Sequence, residues 1–217
     1  MIQRTLFSPD HDAFRDSFKR FMQAEIAPYH AQWEEQGYVD KSVWNKAGAL
    51  GFLCMSLPEA YGGADADKLF SIIQMEELSA AGFSGIGYGL HSEIVAPYLM
   101  HYGTDAQKTK YLPKLATGEM VGAIAMTEPA AGSDLQGIKS TAMQQADGSF
   151  VLNGSKTYIT NGWHSDLVIV VAKTNPSAGA KGTSLLLVEQ GMAGFTKGKP
   201  LNKLGLRAQD TCELFFD

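Results

Sequence analysis

Thr127, Ser133, Tyr158 and Thr160 are the residues of this 217-residue chain whose types and spacing best suit chemistry on a bound ligand. Thr127 and Ser133 lie in Ala125-Met126-Thr127-Glu128-Pro129-Ala130-Ala131-Gly132-Ser133-Asp134, directly after the apolar run Val121–Met126. Pro129 removes one backbone donor and fixes its own φ, while Ala130, Ala131 and Gly132 let a ligand approach the main chain. Ser133 and its neighbouring amides can then donate to phosphate or carbonyl oxygens. Tyr158 and Thr160 stand two apart in Asn153-Gly154-Ser155-Lys156-Thr157-Tyr158-Ile159-Thr160-Asn161-Gly162. On a regular strand they share one face, so a ring and a hydroxyl would lie against a flat heterocycle and Ile159 would be buried opposite. Taken singly, loop Ser and Thr residues usually bond only to nearby backbone.

The two segments in combination resemble the flavin-binding signatures of the acyl-CoA dehydrogenase family. The likeness runs from Ala27-Pro28 and Trp33 to Arg207-Ala208-Gln209-Asp210-Thr211. Pro58–Gly63, His91–Val95 and Gly132–Lys139 look most like the long-chain branch. The resemblance implies FAD as cofactor and a fatty acyl-CoA as substrate. It assigns Ile124, Ala125, Met126 and Thr127 to the polar edge of the isoalloxazine, through main chain and the Thr127 hydroxyl. Gly132 and Ser133 would meet the flavin pyrophosphate, with Ser133 also bordering the thioester arm of the substrate. Tyr158, Ile159 and Thr160 form the strand along the ring, Tyr158 against it and Thr160 near its reactive nitrogen. His91 would border the acyl pocket, although an unclustered histidine is more often a packing residue. Arg207 would order a loop or reach cofactor across a subunit boundary.

Two residues depart from the family pattern. Tyr158 stands where many relatives have Trp, and Ala130 where many have Gly. The family's α-proton base is a glutamate in a C-terminal helical domain, and neither Glu119 nor Glu128 matches it, so no catalytic residue is assigned in this chain. On that ground the 217 residues are expected to be a truncated form, inactive alone and binding FAD weakly or not at all. The resemblance also implies an electron-transfer flavoprotein as acceptor and a homotetramer. Alternatives that keep the fold are an acyl-CoA oxidase or flavin monooxygenase, and a non-catalytic module that binds acyl-CoA, flavin or a subunit.

Bulk properties exclude other classes. A net charge of -5 leaves no electrostatic footprint for nucleic acid. No apolar run approaches the ~20 residues of a membrane span. Met1–Leu6 lacks a signal-peptide core, and cytoplasmic residence is the default expectation. Cys54 and Cys212 are expected free and buried, and the five histidines show no metal-ligand spacing. There is no phosphate-loop frame around Lys156-Thr157 and no dinucleotide fingerprint.

The elements that must position these residues change character near residue 120. Residues 1–120 read as helices: one after Ser8-Pro9-Asp10, capped by Ser8 or Asp10, then Ser42–Leu50, Leu69–Ala80, Gly87–Tyr102 and Asp105–Ala116, the last kinked or broken at Pro113. Residues 121–217 read as short strands: Val121–Met126, Ile138–Met143, Phe150–Leu152, Lys156–Thr160, Leu167–Ala172, Ser184–Val188 and Cys212–Phe216. Asp147-Gly148 suits a hairpin turn, and Asn175–Gly182 an exposed loop. The expected class is α+β, an all-α N-terminal domain followed by a small β-barrel or sandwich carrying the flavin loops.

Overall fold

A computed structural model describes residues 5–217. Part of the N-terminal sequence reading falls on Met1–Arg4, outside the described residues. The fold is α+β, as the sequence implies, with one compact unit running to Met120 and a second beginning at Val121. Lys203–Gln209 belongs to the first unit, while Val121–Asn202 and Asp210–Asp217 form the second.

In the first unit α1 (Pro9–Glu25) is capped by Ser8, whose Oγ accepts from the His11 amide while His11 Nδ1 accepts from the Ser8 amide. That reciprocal arrangement satisfies two of the orphan amides at the helix start. Phe14, Phe18 and Phe21 pack their rings 5.1–5.6 Å from Phe52. The sequence reading passed over α2 (His30–Gln36), a short helix that buries only Trp33 and stops at Gly37 in the left-handed conformation. Next come α3 (Ser42–Ala49) and α4 (Lys68–Ala80), the latter capped by Asp67. The single helix expected over Gly87–Tyr102 is composite: α5 (Tyr88–Leu90), a π-helical turn at His91–Val95, and α6 (Ala96–Tyr102). Pro113 lies inside α7 (Asp105–Ala116) without ending it.

The second unit contains β1 (Gly122–Ala125), β2 (Thr141–Gln144), β3 (Phe150–Thr160), β4 (Leu167–Lys173), β5 (Thr183–Glu189), β6 (Phe195–Lys197) and β7 (Thr211–Phe216). They form one sheet path, β1-β4-β2-β3-β7-β6, with β5 on the other edge of β4. Two strands expected at Phe150–Leu152 and Lys156–Thr160 are one, because Asn153 pairs with Thr141 and Gly154 with Phe216 as β3 passes from partner β2 to partner β7. Gly154 has φ +146, and a Cβ there would fall 2.3 Å from Ser140 Oγ, so only glycine lets the strand pass. Asp147-Gly148 makes the β2–β3 turn, with the Gln145 amide donating to Ser149 O at 2.8 Å. The sequence reading did not foresee β6, three residues with little period to read. Asn175–Gly182 is largely exposed and coils through 3-10 turns. Ala123, Ala125, Ile159, Val168, Val170, Cys212, Leu214 and Phe216 are among the residues of the core.

Candidate functional site

β1 and β2 lie in parallel against β4: Ala125 is opposite Val170, and Thr141 opposite Lys173. The intervening chain therefore leaves the sheet and returns within three residues of β4, a span of roughly 10 Å. All of Met126–Ser140 is an excursion standing on two closely spaced feet. The first foot carries Thr127 and Glu128, and the second carries Lys139 and Ser140.

Glu128 joins the feet. Its carboxylate accepts from the Lys139 amide at 2.5 Å and the Ser140 amide at 3.0 Å, and its main chain exchanges hydrogen bonds with Ala131. Lys156, from β3, donates to Glu128 Oε1 at 2.8 Å and to Met126 O at 3.0 Å. Both side chains are buried, at 0% and 4% exposure. Burial pushes the Glu128 carboxyl up, but the hydrogen bonds from Lys156, Ser140 and Lys139 outweigh it and hold the group down at about 2. For Lys156, burial dominates and lowers the ammonium from its ordinary value, against the pull of Glu128. A carboxylate so held has no face for a substrate proton and is not a general base.

Beside Lys156 the Thr157 amide donates to Thr127 O at 2.9 Å, which ties the two signature segments directly. The register of β3 against β7 then shifts between Lys156 and Ile159. Tyr158 sits in this bulge at φ +59, a left-handed conformation uncommon for a bulky residue, and is 68% exposed. The regular strand expected here is thus broken: Lys156 and Thr157 are both buried, Tyr158 projects outward, Ile159 enters the core and Thr160 is half-buried. Past the strand, Asp210 Oδ2 accepts from the Trp163 and His164 amides at 2.9 and 3.2 Å and fixes the turn.

The remaining predicted residues divide by burial. Ile124 and Ala125 are buried in β1, so main chain is what they can offer a ligand. Met126 packs against Ala131, Ile138 and Val171. Thr127 is half-buried, while Gly132 and Ser133 are exposed at the crest of the excursion. A Cβ built at Gly132 meets nothing within 4 Å, and the Gly132 and Ser133 amides take no partner among the described residues. Arg207 is exposed.

His91, in the first unit, departs from its expected substrate role. It is fully buried in the π-helical turn, with Nε2 2.9 Å from Leu115 O and its ring edge-on to Trp44. As placed, it is a packing residue with no surface for a substrate. The same unit holds an apolar cavity of about 480 Å3 lined by Met75, Leu78, Phe83, Ile86, Leu90 and Leu206, among others. Neither the cavity nor the Lys156–Glu128 pair was read from the sequence. The pair's partners are far apart in sequence, and its one local sign is a lysine inside a strand that otherwise feeds the core.

Cys54 and Cys212 are free and buried, and burial pushes both thiols up to about 12, so neither is a nucleophile. Among the described residues no group of three or more His, Cys, Asp or Glu could hold a metal ion, and no helix is long and apolar enough to cross a membrane.

Comparison with known proteins gives matches along nearly the whole chain. The family profile for the acyl-CoA dehydrogenase N-terminal domain covers residues 8–119, and that for the middle domain covers 123–217. The long-chain specific acyl-CoA dehydrogenase, mitochondrial, of Rattus norvegicus is 50% identical over 99% of this chain and 50% of its own. An acyl-CoA dehydrogenase from Geobacillus kaustophilus superposes with a TM-score of 0.94 at 48% identity, over 99% of this chain and 57% of that one. One from Bacillus anthracis, complexed with FAD, gives 0.90 at 35% identity, over 100% of this chain and 37% of that one. The chain spans about half the length of the curated relatives it matches.

Proposed function

The chain belongs to the acyl-CoA dehydrogenase family, and from that premise we propose that it holds FAD for the α,β-dehydrogenation of a fatty acyl-CoA thioester. One observation carries the reading: Glu128, Lys156 and Thr157 lock the two signature segments together while Ser133 and Tyr158 stay exposed. The residues present fit the cofactor. Gly132 and Ser133 offer unpartnered amides with open space where a side chain would stand, the donor pattern a pyrophosphate needs. Tyr158 offers an exposed flat face, and Thr127 and Thr160 offer hydroxyls on half-buried backbone that can bond to polar ring atoms.

FAD supplies the acceptor for the hydride that leaves the substrate β-carbon. Ser133, exposed at the crest of the loop, borders the thioester arm of the substrate. The α-proton goes to a base other than Glu128, whose carboxylate is sealed in the loop neck. Family resemblance supports an electron-transfer flavoprotein as acceptor and a tetrameric assembly.

Titration of the protein with FAD, followed by flavin fluorescence, tests this. Quenching is expected, weakened about three- to tenfold by Thr160→Ala and by Ser133→Ala, the worth of one hydrogen bond each. A protein that leaves flavin fluorescence unchanged contradicts the reading, as do variants that bind like the parent.

A further inference from the structure

We propose that Lys156 and Glu128 are a positioning pair, a clasp that sets the loop Pro129–Ile138 and the Tyr158 bulge in one fixed relation; this rests on the flavin reading above. The argument begins from the feet of the excursion. The two feet each pair with β4 and each touch β3, and among the described residues Glu128 is the side chain whose hydrogen bonds run directly from one foot to the other. Lys156 enters from β3 and spends one proton on that carboxylate and another on Met126 O, on the same foot as Thr127. The next residue, Thr157, bonds its amide to Thr127 O, and the residue after that is the exposed Tyr158. One buried ion pair therefore reaches both segments assigned to the cofactor.

A pair of apolar side chains would fill this volume without desolvating two charges, and such replacements are often neutral or stabilising. The bonds here are directional, and three of the four have a loop-neck backbone group at one end, which apolar packing cannot reproduce. Their consequence is geometric: with Met126 O and Thr127 O engaged toward β3, the crest Gly132–Ser133 and the Tyr158 ring have their placement set from below. Gly154, two residues before Lys156, lets β3 pass against Ser140 and brings the ammonium within reach.

The test compares the parent chain with Glu128→Gln/Lys156→Met, which removes both charges and keeps one oxygen to accept from either the Lys139 or the Ser140 amide. Hydrogen exchange is read on the protein without cofactor, and FAD affinity by fluorescence. Expected are faster exchange at the hydrogen-bonded amides of both segments, Glu128 and Ala131 in the loop and Thr157 before the bulge, unchanged exchange in β4, a melting temperature close to the parent's, and an FAD Kd raised about tenfold or more. Lys156→Arg, which keeps the charge, should recover part of the affinity. Exchange at parental rates in both segments of a folded double variant overturns the proposal, and so does acceleration spread evenly over the sheet. If the parent binds no FAD, the functional reading fails and exchange alone decides the clasp. If the double variant does not fold, Glu128→Gln alone is read the same way, with parental loop exchange again overturning the proposal.

Discussion

The two units bury charge to different depths. In the helical unit the deeply buried Tyr88, Gln74 and His91 meet neutral backbone: the Tyr88 hydroxyl donates to Val43 O, Gln74 Nε2 to Phe52 O, and His91 meets Leu115 O, while its Arg15–Glu77 ion pair keeps 18% and 11% side-chain exposure. Around them lie aromatic and aliphatic side chains that pack with little directional demand. In the β unit a lysine and a glutamate are sealed together under an exposed loop, with four charge-assisted bonds between them and the neck backbone. Neutral contacts suffice where an element needs only to be satisfied. Buried charge stands where one segment must be held in one place relative to another.

Breaking the clasp should give the largest effect. Lys156→Met leaves the Glu128 carboxylate buried without its counter-ion, and a loss of about 3–5 kcal/mol is expected in urea unfolding. The matching change in the helical core, Ile73→Val at a fully buried site, removes one methylene and should cost only about 0.5–1.5 kcal/mol. A cost for Lys156→Met no greater than that would erase the contrast between the units.

Acid separates the units more gently. Glu128 has a folded-state value lowered from 4.5 to about 2, so its stabilising contribution is complete above about pH 4.5 and is lost as pH falls toward 2. Glu128→Gln should flatten that part of the stability profile, and an unchanged acid slope would show that the carboxylate is not held as described. The smallest effect is expected on the surface. Lys46 pairs with Glu25 at 2.5 Å with both side chains substantially exposed, and Lys46→Ala should shift stability by less than about 1 kcal/mol.

Much of this was legible in the residues. Hydrophobic period placed α1, α3, α4 and α7 because each buries a clear stripe, and α2 escaped because Trp33 alone marks it. Alternation placed most strands, but it cannot show a bulge, so the left-handed Tyr158 and the run of two buried residues before it came only with coordinates. The small residues and proline of Thr127–Ser133 suggested an open loop, and its crest at Gly132 and Ser133 is exposed. What it stands on was not, because the Glu128–Lys156 contact depends on β3 crossing from β2 to β7, a long-range pairing that local sequence does not encode. His91 shows the reverse error: its type suggested chemistry, and a helix core absorbed it.

Amide exchange with and without FAD tests the account most directly, since it asks of the flavin loop and the bulge at once whether they meet the cofactor. Protection on adding FAD is predicted at Gly132–Ser133 and at Tyr158–Thr160, with β4 unchanged. Exchange at those two segments that ignores FAD, or protection confined to the helical unit, would contradict it.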